Sequence, residues 1–449
     1  MLEISIDPRI ELLAVIQYLS GSEMVSKDVN GYADAIDAWF GDHKEHPVLE
    51  LLPKMEELGF GYDLPVVTFL QYDSLPLEHK TMHLDRFYHN MNEERWQEIS
   101  PAADWEQLRI LVNSFYIQSD FAGFFLSQQD LFNQSLASAE KLVAGSPDMI
   151  AHLAAWFHET HPSYKLVISP LLGGMGYGPA LLNEKGENEA YCLLSFHPGD
   201  TPESALKNLA YMFFHEFSHS YVNPLVDEHY TELRLAEKLF DPISQKMTDL
   251  AYPSWWICVA EHFVRASELR LLSTFFAEQS ASYSSDSQIA LGFIYIDTIL
   301  ESLHAYEKAR DEHGLSFKDY FPKLVADFVA LKDAPASDFE KYLLFRGTLN
   351  AVTSKPDALI IYPDPQRVEG VDRFILPTVN FLVERLGKEA VTDTQALTMD
   401  LSQRHLMLYG TLEDNLWLTK HREILPFQVF PDRIIADKEY HGNNLRIIS

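Results

Sequence analysis

Apolar residues in the first third of the chain recur at three- and four-residue spacing, the period of helices with one buried face. The opening is different: Leu2 to Ile6 reads as a short strand. Asp7 then offers an N-cap, Pro8 suits the first helical position and Gly21 follows the end, so a helix is predicted between them. Long proline-free patterns over Trp105 to Phe125 and Gln128 to Val143 predict two more helices, and Met149 to His158 another.

The pattern changes at Tyr164 to Ser169, a short apolar run that reads as a strand. Glycines at 173, 174, 176 and 178 deny the next segment a helix. Ala190 to Phe196 is a second strand, and a candidate edge strand for an extended peptide. A helix is then expected from Asp200, with Glu203 completing a capping box, and it should stop before Asn223-Pro224. Further helices are predicted near 227–241, 254–278, 286–313 and 317–331.

Beyond Pro356 strands and helices alternate. Strands are expected at Ala358 to Tyr362, His405 to Tyr409, Phe427 to Ile435 and Leu445 to Ile448, and helices at Val371 to Leu386 and Leu412 to Lys420. The whole reads as α+β: a mostly helical unit over residues 1–353 with a small sheet, then an α/β module over 354–449.

Within the helix predicted after Asp200, His215-Glu216-Phe217-Ser218-His219 matches H-E-x-x-H. Residues i and i+4 lie one turn apart on nearly the same face, so both imidazoles can reach one ion. Glu216 points aside, where a base for a metal-activated water is needed. Leu206, Leu209, Ala210, Phe213 and Phe217 form a separate apolar stripe, which leaves the histidine pair on its own face.

A catalytic zinc takes three protein ligands and keeps one position open. The metzincin arrangement is excluded, because Leu225 stands where its third histidine would be and Val222 where its glycine would be. Asp227, Glu228 and His229 are near but follow Pro224 closely. Glu261 is the better candidate: it lies 42 residues after His219, in a helix otherwise rich in apolar residues, where a carboxylate needs a partner. Glu268 is the next choice, and a plain Glu261–Arg265 helical ion pair is the structural alternative.

At these residues the sequence resembles the gluzincin class of zinc metallopeptidases, which join H-E-x-x-H to a glutamate from a later helix. The strings HEFSHSYVNPL (215–225) and AEHFVRA (260–266) are similar to an uncharacterised bacterial family of zincin-like peptidases, described as a domain of unknown function. The similarity extends to the opening IDPRIELLAVIQYLSG. The resemblance implies a zincin-like catalytic unit with its motif core near residues 160–280, and one zinc per chain held by His215, His219 and Glu261, with Glu216 as general base. It also implies Tyr252 as donor to the developing oxyanion, with His229, His262 and Arg265 as rivals. One departure stands out. Gluzincins often carry an acid one turn after the third ligand, to orient a zinc histidine, and here Arg265 occupies that place. Glu268 or Asp227 would have to supply the orientation instead.

Composition narrows the partners. Sixty-six acidic against thirty-five basic residues leave a net charge of −31, which repels phosphate backbones and argues against nucleic acid. Two cysteines, Cys192 and Cys258, are too few for a disulfide framework or a cysteine zinc site. No apolar run is long enough to span a membrane. The N-terminus lacks the bases and apolar stretch of a signal peptide, so the chain reads as soluble and cytoplasmic as numbered, or exported if a leader preceded it. Gly173 to Gly178 fits neither dinucleotide-binding nor P-loop order.

The expected function is zinc-dependent hydrolysis, of a peptide or protein substrate in the first instance. A zincin fold kept as a non-catalytic binding or scaffold protein is the rival, and hydrolysis of a non-peptide amide or ester a third reading. The intact Glu216 favours an enzyme.

Overall fold

The computed structural model describes residues 2–26, 31–57, 60–78, 102–172, 176–182, 186–195, 201–277, 283–334, 358–401, 404–425, 427–435 and 439–441. It is α+β, mostly helical with small sheets. The chain divides into two compact units, residues 1–285 with 295–334, and residues 286–294 with 335–449.

The first unit opens as its sequence demands. Strand β1 (Leu2–Ser5) leads into the helix Pro8–Ser20, where the Asp7 side chain accepts from the Arg9 amide at 2.9 Å. Gly21, at φ 80, closes that helix with its amide bonded to the Gln17 and Tyr18 carbonyls. Strand β1 pairs in parallel with β2 (Ser163–Ile168). The hairpin-like pieces β3 (Gly176–Tyr177) and β4 (Ala180–Leu182) both pair antiparallel with β5 (Asn188–Leu194). β5 also pairs in parallel with β2, so it is an interior strand and not the edge expected from its sequence. The far end of the path β1-β2-β5-β3 is β3.

The strands alternate with period two. Val167, Tyr191 and Leu193 enter a core built with Leu12, Val15, Ile16 and other residues of the N-terminal helices. Tyr164 and Cys192 face the other way, onto the helix Pro202–Glu228: the Tyr164 and Phe217 rings are 5.5 Å apart, and the Cys192 thiol lies 4.0 Å from the Met212 carbonyl.

Several helix boundaries differ from the periodic reading. The helix expected over 105–125 breaks at Asp120, which adopts φ 48 and caps a new helix through its contact with the Gly123 amide at 3.2 Å. The helices are Ala102–Gln118, Phe121–Ser127 and Gln129–Gly145. The motif helix is capped by Thr201, whose hydroxyl accepts from the Ser204 amide at 3.3 Å; Asp200 lies outside the described residues. It does not stop before Pro224 but runs through it to Glu228. A proline in a helix interior costs about 3 kcal/mol, and here Tyr221, Val222, Leu225 and Val226 are all buried on the same continuous helix and offset it. The helix expected over 227–241 is a short turn, Tyr230–Leu233, followed by a 3-10 stretch, Arg234–Leu239. That over 286–313 is two helices, Asp286–Leu291 and Ile296–His313, with Gly292 at φ 109 between them. Ser254 and Ser316 cap the helices Trp255–Phe275 and Phe317–Val329.

The second unit holds a parallel sheet of β6 (Leu359–Tyr362) flanked by β7 (Glu389–Thr392) and β8 (Leu406–Leu408). β7 has too little apolar character to be read from its sequence. Strands β9 (Gln428–Val429), β10 (Arg433–Ile435) and β11 (Glu439–His441) form a second, antiparallel sheet. The helix expected over 371–386 is split at Ile375, and that over 412–420 starts at Leu416 with Asn415 as its cap. The strand expected at Leu445 to Ile448 lies outside the described residues.

Candidate metal centre

Around the His-Glu-x-x-His residues the motif helix is largely buried. Its apolar positions Leu209, Ala210, Phe213 and Phe217 are 3% exposed or less, and His215 and Glu216 are themselves buried. The histidine pair points to the helix Trp255–Phe275, which packs alongside it. Ligand atoms of His215, Glu216 and His219 all lie within 4.8 Å of one another. Glu261 enters from the second helix: its Oε1 is 3.3 Å from His219 Nε2 and its Oε2 is 3.8 Å from His215 Nε2.

A tetrahedral ion with arms near 2.1 Å holds its ligand atoms roughly 3.3 to 3.6 Å apart. His219 Nε2 meets that spacing at 3.3 Å, and His215 Nε2, 3.8 Å from the other carboxylate oxygen, lies slightly beyond it. The far nitrogens support the same reading. His215 Nδ1 is 2.8 Å from Glu268 Oε2, and His219 Nδ1 is 3.2 Å from the Asn223 side-chain oxygen. Both partners accept, so each Nδ1 carries a hydrogen, and each Nε2 is the nitrogen turned toward the shared point, where an ion would replace any proton it holds. These residues could hold a metal ion.

The electrostatics favour positive charge at that point. Burial opposes a charge on His219, yet hydrogen bonding and attraction from Glu261, with Glu216 behind, raise it to about 9. Burial also works against ionised Glu261, but the His219 hydrogen bond and the charges of Arg265 and His215 hold it well below the usual carboxylate range. Glu216 goes the other way: burial raises it, against the pull of the two histidines.

Each residue singled out in the sequence has a definite place. Glu268, fully buried, meets His215 at Nδ1, the nitrogen away from the shared point. Asp227 accepts from the Trp256 indole at 2.8 Å, at the start of the second helix. Arg265 and Glu261 do form the helical ion pair, at 3.1 Å, and Glu261 faces the histidines as well. Arg265 also donates to the Tyr252 hydroxyl at 3.0 Å. Burial lowers His262 to about 4, and its ring donates to the Cys258 carbonyl at 2.7 Å beside the Tyr295 ring. His229 ends the motif helix against Phe321. Neither belongs to the cluster.

Two features escaped the sequence reading. A Cβ on Gly176 would lie 2.4 Å from Glu216 Oε1, and one on Gly178 would lie 2.1 Å from the Glu216 carbonyl oxygen. Strand β3 therefore rests directly on the general-base candidate, which only glycine permits. The glycine run was a visible signal, but only for the absence of helix. Asp63, in the first turn of the helix Asp63–Leu70, lies within electrostatic reach of His219 and Glu261. Nothing in its local sequence marks it.

An α+β fold with a buried His-Glu-x-x-His cluster that could hold a metal ion defines the class. The chain belongs to the family described as Domain of unknown function (DUF4932), which matches residues 2–327. No curated protein and no solved structure matches it.

Proposed function

We propose that this protein is a zinc-dependent hydrolase of the gluzincin kind, acting on peptide bonds. The observation that carries the reading is the convergence of His215 and His219 on the Glu261 carboxylate, with Glu216 beside them. His215, His219 and Glu261 would hold the ion. When bound, zinc would supply Lewis acidity and lower the pKa of a water in its open position.

The chain's own groups do the rest. Glu216, buried and with a raised pKa, takes the proton from the attacking water and later returns it to the leaving amine. Glu268 and Asn223 keep the two imidazoles in one tautomer and orientation. The Tyr252 hydroxyl supplies a hydrogen bond to the carbonyl oxygen as it gains negative charge. A peptide substrate is favoured over other amides because β3 ends the sheet beside Glu216, where an extended backbone can be added as a further strand.

Peptide libraries screened with wild type and Glu216→Gln, each checked for equal zinc, test this. Loss of a general base costs about 10²- to 10⁴-fold in rate, so cleavage should be confined to the wild type. Equal cleavage by both would remove Glu216 from the mechanism. A binding or scaffold protein would be indifferent to the change.

A further inference from the structure

Arg265 is 9% exposed and stands one turn after Glu261. Its Nε donates to Glu261 Oε2 at 3.1 Å and its Nη2 donates to the Tyr252 hydroxyl at 3.0 Å. Tyr252 lies outside the helix Trp255–Phe275, in the segment that leads into it, so one guanidinium ties that segment to the third ligand. The guanidinium lies 5.8 Å from the centre of the Tyr252 ring.

Donor and acceptor roles then determine what each partner can do. A guanidinium has donors only. At Glu261 it holds Oε2, the oxygen 3.8 Å from His215 Nε2, while Oε1 is 3.3 Å from His219 Nε2, so the carboxylate is kept turned toward the histidine pair. At Tyr252 it fills an acceptor position on the phenol oxygen, so the phenol's own O–H is directed away from Arg265. A cation bonded to that oxygen also polarises the O–H and makes it a stronger donor. Lysine could not do this, since a single ammonium on a flexible stem lacks the rigid fork that holds two acceptors in plane.

We infer, on the zinc-hydrolase reading given above, that Arg265 is a positioning residue: it holds the Glu261 carboxylate toward the histidine pair and aims the Tyr252 hydroxyl at the oxygen that becomes anionic during hydrolysis. The acid that other gluzincins carry one turn after the third ligand orients a histidine. Here Glu268 has that task, and the vacated position serves the opposite side of the site.

Two probes of the zinc-reconstituted full chain separate this from a structural role. A peptide phosphinate presents a tetrahedral anion with two oxygens, whereas a simple alkyl thiol presents one sulfur. Their affinities are measured by calorimetry for wild type, Arg265→Gln, Arg265→Lys, Tyr252→Phe and the double variant Arg265→Gln/Tyr252→Phe. Tyr252→Phe and Arg265→Gln should each weaken phosphinate binding about 10- to 100-fold. The double variant should be no more than about threefold worse than the weaker single, with thiol affinity and zinc content also changed less than about threefold. Arg265→Lys should behave as Arg265→Gln does.

Additive losses, parallel losses of thiol and phosphinate, or a lysine variant equal to wild type would each overturn the coupling. If Arg265→Gln does not fold, Arg265→Lys and Tyr252→Phe still decide it by selective loss of phosphinate. A wild-type chain that takes no zinc brings down the hydrolase reading and this role together. One that binds zinc and phosphinate while the variants add brings down this role alone.

Discussion

Glu216 Oε1 occupies space that a side chain at position 176 would need. A methyl group there would stand 2.3 Å from Met212 Cε and 2.4 Å from the carboxylate oxygen, so these side chains must move or β3 must shift. Gly176→Ala is therefore expected to keep the metal while lowering hydrolysis by about 10²-fold, the scale of a misplacement near 1 Å. Zinc content and turnover of one peptide, compared with wild type, check this; an unchanged rate would mean that β3 yields instead. His215, Glu216 and His219 were legible because helix geometry alone groups i and i+4. Glu261 was legible because a carboxylate in an apolar helix needs a partner. Gly176 and Asp63 were not, since their importance arises only from tertiary approach. A second buried carboxyl makes a pH prediction. Glu11 is fully buried and accepts from the Tyr32 hydroxyl at 2.8 Å; burial raises it from its ordinary 4.5 to about 7. The folded state thus prefers the protonated acid. Its stability, complete below about pH 4.5, should fall by roughly 3 kcal/mol as pH rises through 7. Urea titrations of wild type and Glu11→Gln across pH 4 to 8 should show their difference changing by about that amount in that direction. A constant difference would contradict it.

Among the elements, the motif helix carries the clearest lesson about what sequence grammar hides. Pro224 was a sound stop signal, because proline removes an amide that would bond the Ser220 carbonyl and disfavours the helical conformation before it. Burial of the turn on either side prevailed, as Tyr221, Val222, Leu225 and Val226 show. Pro224 itself is exposed, so its ring adds little packing. Pro224→Ala should raise unfolding free energy by about 1 to 3 kcal/mol without altering zinc affinity. A less stable variant in urea would mean that the proline holds a bend the site requires. Asp120 shows the converse: periodicity continued across it, and a left-handed residue with a capping side chain ended the helix. Strand β5 was placed correctly in the sequence but misassigned to an edge, since its partners β2, β3 and β4 are set by topology. β3, with two residues, was too short for any alternation to reveal.

At the scale of the whole molecule, the strands and helices around the motif were readable, and so was the alternation in the second unit. The family match over residues 2–327 covers every residue of the candidate centre and ends before the segment 335–449 of the second unit. Among the described residues no helix is long and apolar enough to cross a membrane. The net charge of −31 disfavours phosphate-rich partners, and it favours retention of a cation. The proposed hydrolysis depends on a bound cation. Elemental analysis of the full chain, reconstituted with zinc and freed of excess, is the most direct measurement. Wild type should hold about one zinc per chain, most of it lost in His219→Ala and in Glu261→Ala, and much less lost in Glu268→Ala. No bound transition metal in the reconstituted wild type would contradict it.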